Sequence, residues 1–514
     1  MSDQQQLDAV VVGAGFGGIY QLYSLTKLGL STQLIEKADD VGGTWYWNRY
    51  PGAMSDTESY IYRYSWDKED LLSYPWPNRY VSQPEILDYL RHVVTKHRLR
   101  RHMKLGTEVV SAIWDDQILR WRIELSTGQV IKARYFITAL GLLSRANYPD
   151  IPGIRTFEGR LCHSSAWHSD IVLKDKRVGV IGNGSTGVQI ITEVAKDVKQ
   201  LLSFQRHAQY TVPAGNKPVT KEYRTWVNDC YDQIWADVKK SATCFGFMES
   251  TTPFQSMSPE EQEQVFEERP MRLRVSSSEK KVAAIVKDPA KAAKLQPSDA
   301  YAKRPICDNG YYEQFNRDNV DVVNIRENPI VAITPQGIQL ADGKVHELDV
   351  IIFATGFDAI DGSYNRIRIR GRNGISLKEC WDPRGPTSLF GVAVPQFPNM
   401  MMVLGPQGPF TNNVPALEAH VELNTTLIKR AEALRAQCAK ITIEASAEAE
   451  KCWIDRCEAS AEGSLFKDTA SWIFGNNVSG KTVALRFYFG GMRNYLSEVK
   501  AAIDDGFRGF SELG

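Results

Sequence analysis

The sequence predicts an α/β protein in which one strand–turn–helix unit occurs twice, and three observations carry that expectation. A β-branched run, Asp8-Ala-Val-Val-Val12, ends in Gly13-Ala-Gly15-Phe-Gly-Gly18. The pattern returns as Arg177-Val-Gly-Val-Ile181 followed by Gly182-Asn-Gly184-Ser185-Thr186-Gly187. The chain has 514 residues, which at roughly 150 per domain is material for about three domains. Strand, glycine turn and helix in this order are what a Rossmann-like dinucleotide-binding unit requires.

In the first unit Gly13 permits the tight turn, Gly15 lets backbone approach a pyrophosphate, and Gly18 lets the helix pack closely on the strand. Apolar residues at helical spacing from Ile19 to Leu30 predict that helix, whose N-terminus offers N–H donors and a positive dipole to phosphate. The next strand, Thr32-Gln-Leu-Ile-Glu36, closes on an acid placed to accept from ribose hydroxyls. In the second unit the helix is expected to run through Lys196, and the strand Val198–Phe204 is followed by Gln205, Arg206 and His207 instead of an acid. A guanidinium suits a 2′-phosphate where a carboxylate would repel it. An acid in the first unit and a base in the second point to FAD and NADP(H), respectively. Val350-Ile-Ile-Phe-Ala354-Thr-Gly356-Phe357 reads as a buried strand with a small-residue turn, where the chain returns toward the flavin site.

The expected plan is therefore two Rossmann-like domains with a helical insertion. Residues 1–140 and 366–514 form the FAD domain, 141–220 and 301–365 the NADP domain, and 221–300 the insertion. Gly141 to Lys176, with Pro149 and Pro152, is a linker, and Lys221 to Leu295 is charged and helical, including Glu260–Glu268. The basic run Lys96–His102 reads as a solvated helix end.

Composition excludes other classes. Hydrophobic residues are 43% and charged residues 24%, which rules out disordered, collagenous and coiled-coil chains. Lys+Arg and Asp+Glu are both 61, so no net field favours nucleic acid or an anionic membrane. No apolar run approaches the roughly 20 residues of a membrane span, and Met1–Gln6 lacks the order of a signal peptide; a cytoplasmic monomer or weak oligomer is expected. None of the eight cysteines precedes Cys162, and Cys452 and Cys457 lack zinc-like spacing. Free thiols, no metal site and no disulfide-reductase chemistry are the expectation.

Several longer segments carry a resemblance. Phe157-Glu-Gly159-Arg-Leu-Cys-His163-Ser-Ser-Ala-Trp167 resembles the Phe-x-Gly-x-x-x-His-x-x-x-Trp fingerprint of type I Baeyer–Villiger monooxygenases. Gly42-Gly-Thr44-Trp45 through Gly52, Ser55-Asp56 through Ser59, Tyr301-Ala-Lys303-Arg304 through Tyr312, Gly405 through Asn412, and Ser471-Trp472 through Gly475 fit the same family, most like its cyclohexanone monooxygenases. The resemblance implies conversion of cyclic and linear ketones to lactones and esters with NADPH and O2, through a C4a-peroxyflavin. It assigns Arg304 to stabilise the peroxide and the developing negative charge, which suits a guanidinium that cannot lose its proton. Asp56 is implied to lie against Arg304, and Lys303 to join Arg206 on the 2′-phosphate. Thr44 and Trp45 would fall in the flavin site, and Trp472 would contact bound NADP. His163 and Trp167 would couple domain movement to the flavin, with a His general base as the alternative. Phe410, Thr411, Asn413 and Phe489 would line the ketone pocket. Two departures stand out: His168 follows the fingerprint where Pro or Asp is usual, and a Gly- and Phe-rich stretch between about Glu268 and Ser276 is missing. The rivals are a nitrogen- or sulfur-oxygenating flavin monooxygenase and a nucleotide-binding sensor without turnover.

Overall fold

The computed structural model describes residues 5–245, 258, 260, 281–298, 306–438, 440–468, 471–478 and 480–511. Two sheets organise them. The first begins with β1 (Gln5–Val12), β2 (Thr32–Ile35), β3 (Met103–Lys104), β4 (Val109–Asp115), β5 (Arg120–Leu125) and β6 (Val130–Thr138). The second contains β7 (Arg160–His163), β8 (Arg177–Ile181), β9 (Gln200–Gln205), β10 (Val320–Asn324) and β11 (Val350–Phe353). The chain then returns to the first sheet with β12 (Arg368–Arg370) and β13 (Met400–Met402).

The first sheet has the order β12-β4-β5-β6-β1-β2-β3, with β13 pairing β6. Only the β4–β5 and β5–β6 pairs are antiparallel. The second sheet, β10-β9-β8-β11-β7, is parallel throughout. The α/β class with two dinucleotide-type sheets is as the sequence predicts. Parallel strands covered on both faces read as unbroken apolar runs, and Val350–Phe353 is buried at all four positions.

Four helices matter for the site: α1 (Phe16–Lys27), α2 (Ser185–Val194), α3 (Lys221–Lys240) and α4 (Asn413–Arg435). α1 packs on α4, where buried Asn424 donates to the side-chain oxygen of Gln21 at 3.2 Å and to the Met402 carbonyl at 3.0 Å. α3 lies in the expected insertion, but its apolar face of Val227, Tyr231, Trp235 and Val238 packs into the core of the first sheet. Of the acidic run expected to be helical, residues 261–268 lie outside the described residues. So does the shortened stretch near Ser276.

The two glycine turns are copies in detail. A Cβ on Gly13 would stand 2.4 Å from the Ala139 carbonyl oxygen, and one on Gly182 would stand 2.5 Å from that of Ala354. Both glycines have left-handed backbones, φ +105° and +102°. One turn later, a Cβ on Gly18 would meet the Gly13 carbonyl oxygen at 1.8 Å, and one on Gly187 that of Gly182 at 2.1 Å. Helix, turn and neighbouring strand are thus in backbone contact, which any side chain would prevent.

Two linkers run on from the strands packed against these turns, just past Ala139 and Ala354, and are tied together. The carbonyl of Gly356 accepts from the Asn147 amide at 3.0 Å, and the Thr355 hydroxyl donates to the Asn147 carbonyl at 2.6 Å. His163, fully buried at the end of β7, takes part as well. Its Nδ1 accepts from the Ser165 amide at 3.2 Å, which leaves Nε2–H to donate to Gly356 at 3.1 Å. Burial pulls its pKa from 6.5 down to about 4.

Two outcomes are expected. Gly187→Ala lowers stability by about 1–3 kcal/mol through overpacking, whereas Gly184→Ala, whose Cβ meets nothing within 4 Å, changes it by less than about 0.5 kcal/mol; melting curves of the two variants check this. His163 has a depressed folded pKa, so its contribution is complete above 6.5 and is lost as pH falls toward about 4. Relative to His163→Asn, which keeps a donor but cannot be protonated there, the wild type should lose on the order of 3 kcal/mol across that window, read from melting temperatures against pH.

Candidate functional site

The first turn presents an open helix end. Gly15 precedes α1 in an extended conformation with no side-chain cap, so the first N–H groups of the helix are left for an anion. Glu36, at the end of β2, is buried and already committed: one carboxylate oxygen accepts from the Ala14 amide at 2.7 Å, the other from Ala38 at 2.8 Å. Burial raises its pKa, while these amides favour the ionised form. Glu36 therefore holds the glycine turn in place. Gly42 and Gly43 complete the cradle. The Gly42 amide donates to the Ala14 carbonyl at 2.8 Å, and a Cβ on Gly43 would meet the Gly15 Cα at 2.7 Å. Thr44 is exposed beside this turn, whereas Trp45 is buried and donates through Nε1 to the Tyr62 hydroxyl at 3.2 Å.

The second turn is built alike. Gly184 precedes α2 with no side-chain cap, and Ser185 and Thr186 are half-buried in the first helical turn. Arg206 is exposed just beyond β9. Gln205, where the first unit has an acid, is buried and structural: its oxygen accepts from Asn183 Nδ2 at 2.7 Å and its nitrogen donates to the Lys294 carbonyl at 2.8 Å.

The segment from Tyr50 to Asp56 bridges the two units. Tyr50 Oη donates to Gln189 on α2 at 2.8 Å, and Gln189 Nε2 donates to the Met54 carbonyl at 3.1 Å. The Asp56 carbonyl lies 3.9 Å from Cys307 Sγ. Lys303 and Arg304 lie outside the described residues, but their chain neighbour Cys307 reaches the backbone of Asp56. The linker fingerprint is distributed. Phe157 lies over Gly159, where a Cβ would meet its ring at 2.6 Å and the Asp349 carbonyl at 2.4 Å. Trp167 packs on the core of the second sheet, while His168 is exposed.

An aromatic cluster gathers three of the remaining positions. Phe410 and Phe489 have ring centroids 5.1 Å apart, and Phe487, 5.3 Å from Phe410, is 5.6 Å from Trp472. Leu142 and Leu143 of the first linker and Ile360 of the second pack into the same cluster. Thr411 adjoins it with a buried hydroxyl that has no partner in the structure. Asn413 does not join it: it is exposed at the start of α4, and the buried residue there is Asn412, whose Nδ2 donates to the Cys244 carbonyl at 3.1 Å. The sequence reading missed the structural roles of Gln205 and Asn412, and two cations with little exposure, Lys481 and Arg486. Polar residues inside otherwise apolar or loop sequence leave no periodic signal. All eight cysteines are free. Among the described residues, no His/Cys/Asp/Glu group could hold a metal and no helix is long and apolar enough to cross a membrane.

The chain matches the model of the flavin-binding monooxygenase-like family over residues 7–215. It is 44% identical to a Baeyer–Villiger monooxygenase of Pseudooceanicola batsensis, across 97% of this chain and 95% of that protein. It is 43% identical to the phenazine N-monooxygenase of Lysobacter antibioticus, across 99% and 97%. Its structure superposes with a TM-score of 0.95 on the cyclohexanone monooxygenase of Rhodococcus sp. Phi1 bound to NADP+, at 47% identity and 99% coverage of both chains. Paired glycine turns, a two-linker junction and end-to-end similarity at these identities agree: the chain belongs to the flavin-binding monooxygenases, among those of Baeyer–Villiger type.

Proposed function

We propose that the chain oxygenates ketones, cyclic and linear, in the balance ketone + NADPH + H+ + O2 → ester or lactone + NADP+ + H2O. The carrying observation is the doubled, uncapped glycine turn: two dinucleotide cradles of one design, bridged by the Tyr50–Asp56 segment. Residues 1–140 and 366–514 hold FAD at Gly13, Gly15, Gly18, Glu36, Thr44 and Trp45. Residues 141–220 and 301–365 hold NADP(H) at Gly182, Gly184, Ser185, Thr186 and Gly187, with 221–300 as the insertion. The open space around Gly184 and the bare N-terminus of α1 fit such groups, since neither needs a side chain to move. Bound FAD supplies the electron relay from NADPH and the activation of O2.

The protein's own residues do the rest. Arg206, exposed after β9, pairs with the 2′-phosphate together with Lys303. Arg304 places a permanent cation where negative charge gathers on the substrate carbonyl oxygen, and Asp56 orients that cation. Trp472 closes over the nicotinamide cofactor, and the Phe410–Phe489 wall with Thr411 excludes water around the ketone. His163, neutral and bonded through both nitrogens, ties the linkers and moves no proton. Nitrogen oxygenation is the second reading, favoured by the full-length match to the phenazine N-monooxygenase.

Purified holoenzyme incubated with NADPH, O2 and parallel panels of ketones and aromatic N-heterocycles separates the two readings. Esters with the ketones support the first; N-oxides with no ester overturn it. Arg304→Ala should cut ester formation by a factor on the order of 10²–10³ while NADPH still bleaches the flavin, measured by stopped-flow absorbance. Arg206→Ala should raise the NADPH KM roughly tenfold to a hundredfold, the loss of one charge-assisted contact. Its NADH KM should stay within about threefold, and an equal rise for both would remove the 2′-phosphate assignment.

A further inference from the structure

The segment that carries Trp472, Phe487 and Phe489 is fastened to the second linker by buried charge. Lys481, only 9% exposed at its side chain, sits between two linker carboxylates. It pairs with Asp358, lies 2.6 Å from Asp361 and donates to the Ala359 carbonyl at 2.9 Å. Arg486, fully buried, lies 3.5 Å from the same Asp361 oxygen. The guanidinium of Arg486 also donates to the carbonyls of Phe474, Ala484 and Thr482. It lies flat over Gly475, whose Cβ would fall 2.3 Å from Nη1. Arg145 of the first linker reaches Asp358 at 3.7 Å. Asn477 adds a second fastening: its Nδ2 donates to the Phe357 carbonyl at 2.9 Å, and its own carbonyl accepts from Asn147 Nδ2 at 3.2 Å.

The same segment is paired on its other side with the strand-like run before α4. The Gln407 amide donates to the Arg486 carbonyl at 2.8 Å, Tyr488 to Gly408 at 2.9 Å, and Phe410 to Tyr488 at 2.9 Å. A continuous set of polar contacts therefore runs from both linkers through Lys481 and Arg486 to Phe410. A fully buried guanidinium and a largely buried ammonium beside two partly buried carboxylates are costly unless mutually satisfied, so the arrangement tolerates few alternative positions. A surface loop held only by apolar packing would need none of these groups.

The geometry points to Lys481, with Asp358, Asp361 and Arg486, as a positioning clasp that sets the aromatic pocket wall by the arrangement of the linkers, so that oxygen transfer to the ketone is matched to the placement of the NADP domain. None of the four touches the reacting atoms. Their effect is on how often a turnover that has consumed NADPH ends in product. This rests on the ketone oxygenation proposed above.

The test compares holoenzyme of Lys481→Met, which keeps length and loses charge, with Lys481→Arg, which keeps charge. Ester formed and hydrogen peroxide released are both measured per NADPH consumed, alongside melting temperature. Lys481→Met should lower ester per NADPH at least fivefold with a matching rise in peroxide, and Lys481→Arg should recover more than half of the loss. A merely structural lysine would lower melting temperature and yield but leave this ratio unmoved, because it is counted per turnover of whatever enzyme is folded. An unchanged ratio in Lys481→Met, or an equal loss in Lys481→Arg, overturns the clasp. If Lys481→Met gives no soluble holoenzyme, Asn477→Ala decides: about a twofold loss of ester per NADPH supports it, and wild-type coupling overturns it. Absence of ester from the wild type would instead sink the reading of the reaction.

Discussion

Backbone meeting backbone at the glycine turns is the contact on which the rest of the molecule depends. Gly13 against the Ala139 carbonyl and Gly182 against that of Ala354 bring three elements closer than side chains allow. Each contact fixes where β1 or β8 ends, where α1 or α2 begins, and where β6 or β11 delivers the chain. Both interdomain linkers start within a few residues of those alanines. The points from which the two units can turn are thus set by the same atoms that shape their ligand cradles, and cross-links such as His163 to Gly356 join one linker to the other.

Zero net charge conceals how unevenly charge is used. Arg63 and Arg486 are fully buried, and Glu418, pushed up to about 8 by burial, accepts from the Ser65 amide at 2.6 Å. Arg63 donates to the Tyr231 hydroxyl at 3.0 Å and to the Asp70 carbonyl at 2.8 Å, which ties α3 to the segment between β2 and β3. Such groups are retained only where each finds partners, because an unpaired buried charge costs several kcal/mol. They mark the seams: between α3 and the segment that follows β2, between α4 and Ser65, and between the C-terminal segment and the second linker.

Local features of this architecture were legible in the sequence, and long-range ones were not. The turns, strands and following helices were readable because glycine requirements and hydrophobic period are properties of contiguous residues. Even so, α1 starts at Phe16 and not near Ile19, since Gly17 and Gly18 lie inside the helix and dilute its apolar pattern. β2 and β9 sit within two residues of their expected bounds. What could not be read was partner choice. The spacing of Val227, Tyr231, Trp235 and Val238 shows a buried face but not that it belongs to the first sheet. Met400–Met402 pairs with Phe136–Thr138 across more than 260 positions, which no local pattern encodes. In the site, Phe410, Phe489 and Trp472 fall in one aromatic cluster that no local pattern encodes, while Asn413 stands in solvent because Asn412 takes the inward position at the start of α4.

The buried amide of Gln205 bears on how cofactor preference could evolve. Its oxygen and nitrogen are both engaged, with Asn183 on one side and the Lys294 carbonyl on the other. Installing the acid found in the first unit would set a carboxylate against a carbonyl, two acceptors with no proton between them. That single substitution is closed by packing chemistry, whatever ligand the turn holds. Exposed Arg206 is the freer of the two neighbours: a substitution there disturbs no internal bond, so this strand end can vary at Arg206 long before it can vary at Gln205.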